Sequence, residues 1–564
     1  MRIRSTPALV ALALVAGLVP AMAQHTVPVD CASSAPEPQD APTVGVADPA
    51  GDIRVIAVQV RQSLPAAASV GAFMQHLECL FATYVSPALP GDADEDGRQD
   101  LPTIVVLNED LGLATIAAGA RGEAARVFAA HGPKDPANIP GALGSFALVG
   151  GAFAPAIADV LAREPETSAQ RAILAAATDT FVRAFMDTMS VLARRHGVYV
   201  VASNNQAEFR RSSDPREIAA YMDPSELAHP WYRGNDHVFV PVDDDRIPES
   251  VGVGRAGIDV TNQAWMWAPV DGVTEYAHAT FDAINGAPLL PDDPRANIIH
   301  RTTKTPLTSL ELEILDLSDQ QDLTPTNTGP YCLLPQDDAS CRARFGYGIS
   351  LPAFMWGDTE LHEPFTGDPC ASNTSWMRCL DARGVTVFLQ PEANPGMWAD
   401  YIDQSWSPAA YQSLSWLDSA WRAVADRSVE HIRYAITPHL VGNLVDLTFD
   451  GQSVIFERCL PRASGDSCDG NVADTFVGAS VFEACAPPAR VDRCDDPLLE
   501  PYAGAHRETI VQAPWVLDDC PLCLGPISDR ERLAARARAM QAGSMSPYEN
   551  RYVETAIWAD LDLD

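Results

Sequence analysis

Apolar residues fall into two kinds of stretch along this chain. Residues 53–60 and 101–107 are mainly apolar runs of strand length, a pattern typical of strands that are buried on both faces. Residues 66–86 and 173–196 instead carry apolar side chains at helical spacing, and Gly197 follows the second stretch as a helix C-cap. Buried strands separated by amphipathic helices predict an α/β fold.

Later stretches continue the pattern with long interruptions. Residues 384–394 and 553–563 are typical of strands, and residues 436–454 of a strand followed by a hairpin. We interpret the polar or Pro-rich stretches between the core elements as insertions into one domain that runs from residue 52 to 564. These insertions are expected near residues 205–257, 276–295, 322–343, 357–383 and 456–548.

The N-terminal residues 1–23 have the pattern of a cleaved secretory signal. Arg2 and Arg4 precede the apolar run 8–19, and Ala21 and Ala23 give a small-x-small cleavage site. A Pro- and Ala-rich tail at residues 24–51 has no apolar period, so we expect it to be irregular. The sequence therefore predicts an exported protein, located in the periplasm or outside the cell.

The charge restricts the partners that this protein can have. The formal net charge is −36 at pH 7, which argues against binding to nucleic acid or to an anionic membrane surface. No segment after the signal is apolar for long enough to cross a bilayer. We therefore expect neither a nucleic acid nor a membrane as partner.

The 12 cysteines suggest a disulfide-bonded protein, because an even number in an exported chain normally forms pairs. Four pairs share a spacing of nine residues, and the remaining cysteines form one CxxC and one long-range pair. The CxxC is interpreted as a local disulfide, since it is too weak a signal for zinc. The pairs are Cys332/Cys341, Cys370/Cys379, Cys459/Cys468, Cys485/Cys494, Cys520/Cys523 and Cys31/Cys79.

An acidic segment near residue 95 resembles the first half of a calcium loop. Its carboxylates alternate and a glycine follows the third, which would let the oxygens converge on a hard cation. Thr103 stands where a complete EF-hand needs a glutamate, so the alternative is a solvated acidic turn. The candidate calcium ligands are Asp92, Asp94, Asp96 and Asp100.

The scarcity of lysine draws attention to Lys304. Of the 39 basic residues only Lys134 and Lys304 are lysines, and a primary amine is a compact donor suited to holding an oxyanion. Glu109 follows the buried run 101–107, at the carboxyl end of a strand where α/β folds place ligand-binding groups. Asp110 is an alternative to Glu109 at this strand end.

The motifs then follow in a characteristic order. Glu109 comes first, the run from Asp259 through Asn262 to Gly272 follows, then Lys304, and then the segment Phe-Gly-Tyr-Gly-Ile-Ser that ends at Ser350. This order resembles the carbon-nitrogen hydrolase (nitrilase) superfamily, in which a Glu, a Lys and a Cys form the site. The resemblance implies a four-layer α-β-β-α sandwich, with large disulfide-stapled insertions in this chain.

The resemblance also implies roles for particular residues. Glu109 corresponds to the general base, Lys304 to the oxyanion-binding lysine, and Glu311 to a second glutamate that orients the lysine, with Glu313 as an alternative. The backbone N–H of Leu351 would be the second oxyanion donor.

The chain departs from the family pattern at the nucleophile. Ser350 stands where the family has its cysteine, and a hydroxyl needs a stronger base than a thiol does. Cys370 is an alternative nucleophile, although no strand pattern precedes it and Cys379 could bond with it. The nucleophile position is therefore expected to be Ser350, with Cys370 held open.

Two functions follow from this resemblance. The first is hydrolysis of a small amide or nitrile by acyl transfer, with a Glu-Lys-Ser site that needs no cofactor. The second is a catalytically inactive binding protein on a nitrilase fold, which the serine favours. A calcium-dependent structural module is a third possibility that rests only on the acidic loop, and a homodimer is expected because family members commonly pair.

Overall fold

Strands form where the sequence has its short apolar runs. The structure is a computed structural model, and it describes residues 31, 42–92, 99–135, 138–227, 234–243, 257–269, 293–319, 323–334, 341–357, 365–395, 401–404, 407–426, 428–449, 451–458, 509–513 and 552–563.

The first sheet has eight described strands. They are β1 (Val44–Val46), β2 (Ile53–Gln59), β4 (Thr103–Val106), β5 (Tyr199–Ser212), β6 (Val238–Val242), β7 (Val260–Trp267), β8 (Ile298–Thr303) and β19 (Thr555–Leu561). Their order is β1-β19-β2-β4-β5-β7-β8, with β6 paired to β5. The centre β2-β4-β5 is parallel, while β7 and β8 continue it antiparallel.

The second sheet has six described strands in the order β18-β17-β14-β11-β10-β9. They are β9 (Tyr331–Leu334), β10 (Ala343–Tyr347), β11 (Val387–Leu389), β14 (Tyr434–Thr437), β17 (Val454–Glu457) and β18 (Thr509–Gln512). Its centre β10-β11-β14 is also parallel. Two smaller sheets contain β3 (Arg61–Gln62), β15 (Val441–Leu444) and β16 (Leu447–Phe449) in one, and β12 (Tyr401–Gln404) and β13 (Ser407–Tyr411) in the other.

The two large sheets pack face to face, and alternate residues of β2 show how. Val55 and Ala57 point into the core between the sheets, whereas Ile56 and Val58 pack in the core beneath the helices, as the period of two along a strand requires. Both faces of the strand are apolar because both are buried. The residues that the second sheet contributes to the core between the sheets include Phe345, Tyr347, Val387, Leu389, Tyr434, Ile436 and Ile455.

Helices cover the outer faces of both sheets. The described α-helices are α1 (Val70–Leu80), α2 (Glu123–His131), α3 (Pro140–Ala152), α4 (Ala154–Arg163), α5 (Ala169–Ala176), α6 (Thr178–Phe181), α7 (Asp187–His196), α8 (Pro215–Tyr221), α9 (Pro325–Thr328), α10 (Trp376–Ala382) and α11 (Gln412–Ala425).

The layers stack in the predicted order. Phe73 and Leu77 of α1 and Met189 of α7 pack in the core on the outer face of the first sheet. On the second sheet, the indole N–H of Trp376 in α10 donates to the carbonyl of Tyr347 at 2.9 Å, and α11 packs on β14 and β17. The predicted four-layer α-β-β-α sandwich is confirmed.

One predicted helix is interrupted. Residues 173–196 comprise the end of α5, then α6, a wide π-type turn at Val182–Met186, and α7. The turn buries Arg183, whose guanidinium bonds to Asp179 at 3.0 Å and to the carbonyl of His237 at 2.8 Å. Gly197 ends α7 at φ +63°, as predicted. The first predicted helix, residues 66–86, is likewise interrupted. Helix α1 spans Val70–Leu80, and a second wide turn follows at Phe81–Val85.

The stretch 205–257 differs from the aperiodic insertion that its composition suggested. Its first residues extend β5 to Ser212, and α8 and β6 follow within it. Asn204, Asn205 and Gln206 are buried in the strand, so their polarity conceals a strand that lies in the sheet. Similarly, β9 lies within the stretch 322–343 and α10 within 357–383.

The described cysteines are paired as expected. The S–S distances are 2.16 Å for Cys31–Cys79, 1.96 Å for Cys332–Cys341 and 2.00 Å for Cys370–Cys379. The three pairs between Cys459 and Cys523 lie outside the described residues, as do the signal at 1–23 and most of the insertion 456–548.

Helices α3 and α4 form the most apolar helical segment. Among the residues described, no single helix is long and apolar enough to cross a membrane. In the described part of the chain, α3 and α4 taken together are the one pair that meets that length and composition, and they are bent by 75° with respect to each other.

The core between the sheets can be tested at Leu389, which is fully buried. Leu389→Ala leaves a cavity between two sheets that cannot easily move together, so we expect the free energy of unfolding to fall by about 2–5 kcal/mol. Leu161→Ala, at a residue that is 36% exposed on α4, should change it by less than about 0.5 kcal/mol. Denaturant unfolding measures both, and equal small losses would contradict the packing described.

Candidate active site

Polar side chains meet where strands of both sheets end. Glu109 lies just after β4, Lys304 directly after β8, and Ser350 shortly after β10. Asn262 lies in β7, and Glu311 in a wide turn at Leu310–Leu315. The fold thus brings together residues that lie far apart in the sequence.

Lys304 is the centre of a buried cluster. Its Nζ lies 2.7 Å from Glu109 Oε1 and 2.9 Å from Glu311 Oε2. Asn262 Nδ2 donates to the same two carboxylates, at 2.7 Å to Glu109 and 2.9 Å to Glu311. None of these four residues is more than 4% exposed. Glu109, Lys304 and Glu311 are therefore held in one fixed arrangement.

Backbone groups complete the hydrogen bonding of the two carboxylates. Glu109 Oε2 accepts the N–H of Ala393 at 3.2 Å. Glu311 Oε2 accepts both the N–H and the hydroxyl of Thr308 at 2.8 Å. Since each carboxylate has partners on both oxygens, neither can rotate freely.

Glu109 and Glu311 share the ammonium group of Lys304, and their pKa values are shifted in opposite directions. Burial alone would lower the pKa of Lys304, but the charges of Glu109 and Glu311 raise it above its ordinary value. Burial raises the pKa of Glu109, and the neighbouring Glu311 charge adds to this against the opposing effect of Lys304. For Glu311, burial is outweighed by Lys304 and by its hydrogen bonds, so its pKa is lowered. Glu109 is thus the carboxylate better able to take up a proton.

Ser350 has an unusual backbone conformation. Its φ is +53° and its ψ is −113°, a strained combination for a residue with a side chain. Its N–H donates to the carbonyl of Pro391 at 3.1 Å, and its own carbonyl accepts from Ala353 at 3.0 Å. A 3-10 turn starts at Leu351, so the Leu351 N–H has no acceptor within that turn. Among the described residues, no backbone hydrogen bond from this N–H is observed.

One cavity of about 610 Å³ joins these groups. Glu109, Lys304, Glu311, Ser350 and Leu351 all line it. Within the described residues, however, no hydrogen bond with regular geometry links Ser350 to Glu109 or Lys304. The structure therefore places the candidate residues at one cavity, with no direct hydrogen bond from Ser350 to Glu109 or Lys304 among the described residues.

The alternatives considered from the sequence are placed differently. Asp110 also lines the cavity, but its Oδ1 accepts from Asn205 at 2.8 Å, whereas Glu109 is the residue paired with Lys304. Glu313 is not among the residues that line the cavity. Cys370 is bonded to Cys379 and has no free thiol, so it cannot be the nucleophile in this structure.

Sequence reasoning missed Glu392. This residue is fully buried just after β11, and its Oε1 accepts from Gln390 Nε2. Its Oε2 forms no hydrogen bond of regular geometry in the described part of the chain, although the Ser350 side chain lies close to this carboxylate. Burial raises its pKa well above the ordinary value and the Glu109 charge adds to this, while Gln390, Lys304 and the nearby Ser350 partly oppose the rise. An acid at the end of an apolar run was the available signal, the same one that identified Glu109.

The calcium prediction stays a prediction. Asp92 and Asp100 are described, but Asp94 and Asp96 lie outside the described residues. In the described part, no group of three or more His, Cys, Asp or Glu residues is arranged to hold a metal ion.

The opposite pKa shifts of Glu392 and Glu311 predict opposite effects of pH on stability. A buried Glu392 that holds its proton makes the protein less stable as pH rises above about 4.3, the pKa of the unfolded chain. Glu392→Gln removes this loss, so the Tm of the variant relative to wild type should rise from pH 4.5 to pH 8.

Glu311→Gln is the matched control. The lowered pKa of Glu311 contributes stability above about pH 4.3 that is lost in acid, so this variant should melt below wild type at pH 7, with a smaller difference near pH 4. Thermal melts of wild type and both variants across this pH range test these expectations. If the Tm of both variants relative to wild type changed in the same direction with pH, the opposite pKa shifts of Glu392 and Glu311 would be wrong.

Comparison with known proteins gives structural matches only. No protein-family model matches the chain, and no curated protein matches it. One similar solved structure is an amidase from Nesterenkonia sp. AN1 with acrylamide added at its active-site cysteine, at 12% identity over 74% of this chain and 87% of that chain, with a TM-score of 0.31. Nit3 from Saccharomyces cerevisiae, a nitrilase-superfamily member, matches at 13% identity over 73% and 85%, also with a TM-score of 0.31.

A cysteine-to-serine variant of the same Nesterenkonia amidase is a third match, at 13% identity over 74% of this chain and 86% of that chain, with a TM-score of 0.29. Scores this low say nothing about the activity of this chain. The sheet order and the four stacked layers described above are independent of them. This four-layer α-β-β-α architecture is the one expected from the resemblance to the carbon-nitrogen hydrolase (nitrilase) superfamily.

Proposed function

We propose that this protein is a carbon-nitrogen hydrolase that cleaves an amide or nitrile by acyl transfer, with a Glu-Lys-Ser site. The observation that carries the proposal is the buried cluster of Glu109, Lys304 and Glu311 at a cavity that Ser350 also lines. A buried ammonium between two buried carboxylates leaves one negative charge in excess in the core. Such an arrangement is costly for stability, which supports a chemical use for it.

For an amide, each residue has a defined part. Glu109 would take the proton of the Ser350 hydroxyl as Oγ attacks the carbonyl carbon, and would return it to the leaving amine. The ammonium of Lys304 and the N–H of Leu351 would hold the oxyanion. Glu109 would then take a proton from a water molecule as it attacks the acyl-enzyme, and would give that proton to Ser350 Oγ as the bond to the acyl group breaks and the carboxylic acid is released.

Serine makes the first of these steps slower than cysteine would. A thiol has a pKa near 8.5 and can be ionised by a neighbouring base, whereas a hydroxyl must lose its proton as it attacks. The bonds that Glu109 accepts from Lys304 and Asn262 also oppose part of the rise in its pKa that burial causes. We therefore expect slow turnover on simple amides.

The second candidate function is binding without catalysis. It is favoured by the serine itself and by the absence, among the described residues, of a regular hydrogen bond between Ser350 and Glu109. In that case the cavity would hold an amide-like ligand and Lys304 would bind its carbonyl oxygen.

The setting of this function is also a proposal. Disulfides at Cys31–Cys79, Cys332–Cys341 and Cys370–Cys379 support export to an oxidising compartment. We further propose that catalysis needs no cofactor, that calcium would at most stabilise the acidic loop, and that two copies pair as a homodimer.

The nucleophile position can be tested by restoring the thiol. Ser350→Cys should create or raise amidase activity, because the Glu-Lys pair is suited to generating a thiolate. Ser309→Cys is the matched control, since Ser309 lines the same cavity but is not in the nucleophile position, and it should change nothing. Steady-state release of ammonia measures all three proteins. Brisk wild-type hydrolysis that survives Ser350→Ala would show that the nucleophile is another residue.

The role of Lys304 gives a further prediction. Lys304→Ala should lower kcat by about 10² to 10³ in the wild type or in the Ser350→Cys background, the usual loss when a major oxyanion donor is removed. Lys134→Ala removes the other lysine, which donates to a carbonyl on α2, and should leave kcat unchanged. Thermal melts establish that each variant is folded. Full activity in folded Lys304→Ala would rule out the proposed oxyanion site.

A further inference from the structure

The cavity at Ser350 is large for a small amide. Its volume of about 610 Å³ lies within the range of about 300–1,000 Å³ that holds drug-sized ligands. The amide group itself needs only the end formed by Glu109, Lys304 and Ser350. The remaining space must accept the rest of the substrate.

The walls of this remaining space are apolar and come from three parts of the fold. Helix α3 (Pro140–Ala152) contains no charged residue and turns one face to the cavity. The hairpin of β15 and β16 and the segment around Leu113 form other walls. The apolar wall residues include Leu113, Ile116, Ala142, Leu143, Phe146, Val149, Leu307, Leu444, Val445, Leu447 and Phe449.

The charges at the cavity are unsuited to a second carboxylate on the substrate. Glu109, Asp110 and Glu311 line it, and Lys304 already lies between two of these acids. The other lining cation among the described residues is Arg126, whose guanidinium donates to the carbonyls of Ala117 and Gly119. An acidic substrate tail would therefore add a further acid to a cavity that is already lined by three, and both lining cations already have hydrogen-bond partners there.

We propose that the ligand of this cavity is an amide with a long, apolar and uncharged acyl chain, which lies against α3 while its carbonyl group meets Lys304 and Ser350. As a statement about a substrate, this inference rests on the proposed function. Leu143 lines the cavity and is also 42% exposed, so the acyl chain of the substrate would enter or leave past α3. Each methylene placed against these walls adds to binding.

Straight-chain primary amides from acetamide to octanamide test the inference. Binding to the wild-type protein, measured by calorimetry, should tighten about fourfold per methylene, the factor that corresponds to about 0.8 kcal/mol. Octanamide with a carboxylate at its far end should bind no better than acetamide. Equal affinity along the series, or good binding of the acidic analogue, would overturn the inference.

Substitutions on α3 test where the acyl chain of the ligand binds. Ala142→Phe fills the cavity and should weaken octanamide binding about tenfold or more while acetamide is unaffected. Ala147→Phe is the matched control, because Ala147 is exposed on the same helix and does not line the cavity. Phe146→Ala, which enlarges the cavity, should move the preferred chain length upward and serves if Ala142→Phe does not fold. If the cavity variants and the control bound octanamide with the same affinity, that result would contradict the proposed site.

The binding and turnover results separate the two proposals. If octanamide binds as expected but neither wild type nor Ser350→Cys hydrolyses any amide, the hydrolase proposal fails and the ligand class stands. If amides are hydrolysed at the same kcat/KM whatever their chain length, the hydrolase proposal stands and the ligand class fails.

Discussion

The structure of the site depends on one lysine shared by two buried carboxylates. Lys304 bonds to Glu109 and Glu311 at once, and in doing so it ties the end of β8 to the end of β4 and to the turn after β8. Because the group carries one negative charge in excess, a proton taken up there would go to Glu109, the acid whose pKa is raised. The same interaction that fixes the geometry thus also distinguishes the two acids by the direction of their pKa shifts.

The second sheet brings Ser350 to the cavity beside this cluster. Ser350 and Glu392 follow neighbouring parallel strands, β10 and β11, and the N–H of Ala393 donates to Glu109 across the two sheets. The face-to-face packing of the sheets therefore sets the position of Ser350 relative to Lys304. A loss of packing between the sheets would disturb the site without altering any of its residues.

The sequence predicted what strand patterns and residue order can reveal. Glu109 was found because an acid follows an apolar run, and Lys304 because lysine is rare in this chain. Glu392 follows the same rule but has no counterpart in the family pattern, so it was missed. The strand through Asn205 was hidden because its buried residues are polar, and the cavity walls could not be assembled because α3 and the β15–β16 hairpin lie about 300 residues apart.

The central claim is that Ser350 is placed to accept an acyl group. The most direct measurement is mass spectrometry of the wild-type protein after exposure to p-nitrophenyl octanoate, an activated acyl donor, followed by peptide mapping. The account predicts an octanoyl ester on Ser350 that hydroxylamine removes and that forms much more slowly in Lys304→Ala. An unmodified Ser350, or an acyl group found only elsewhere on the chain, would contradict it.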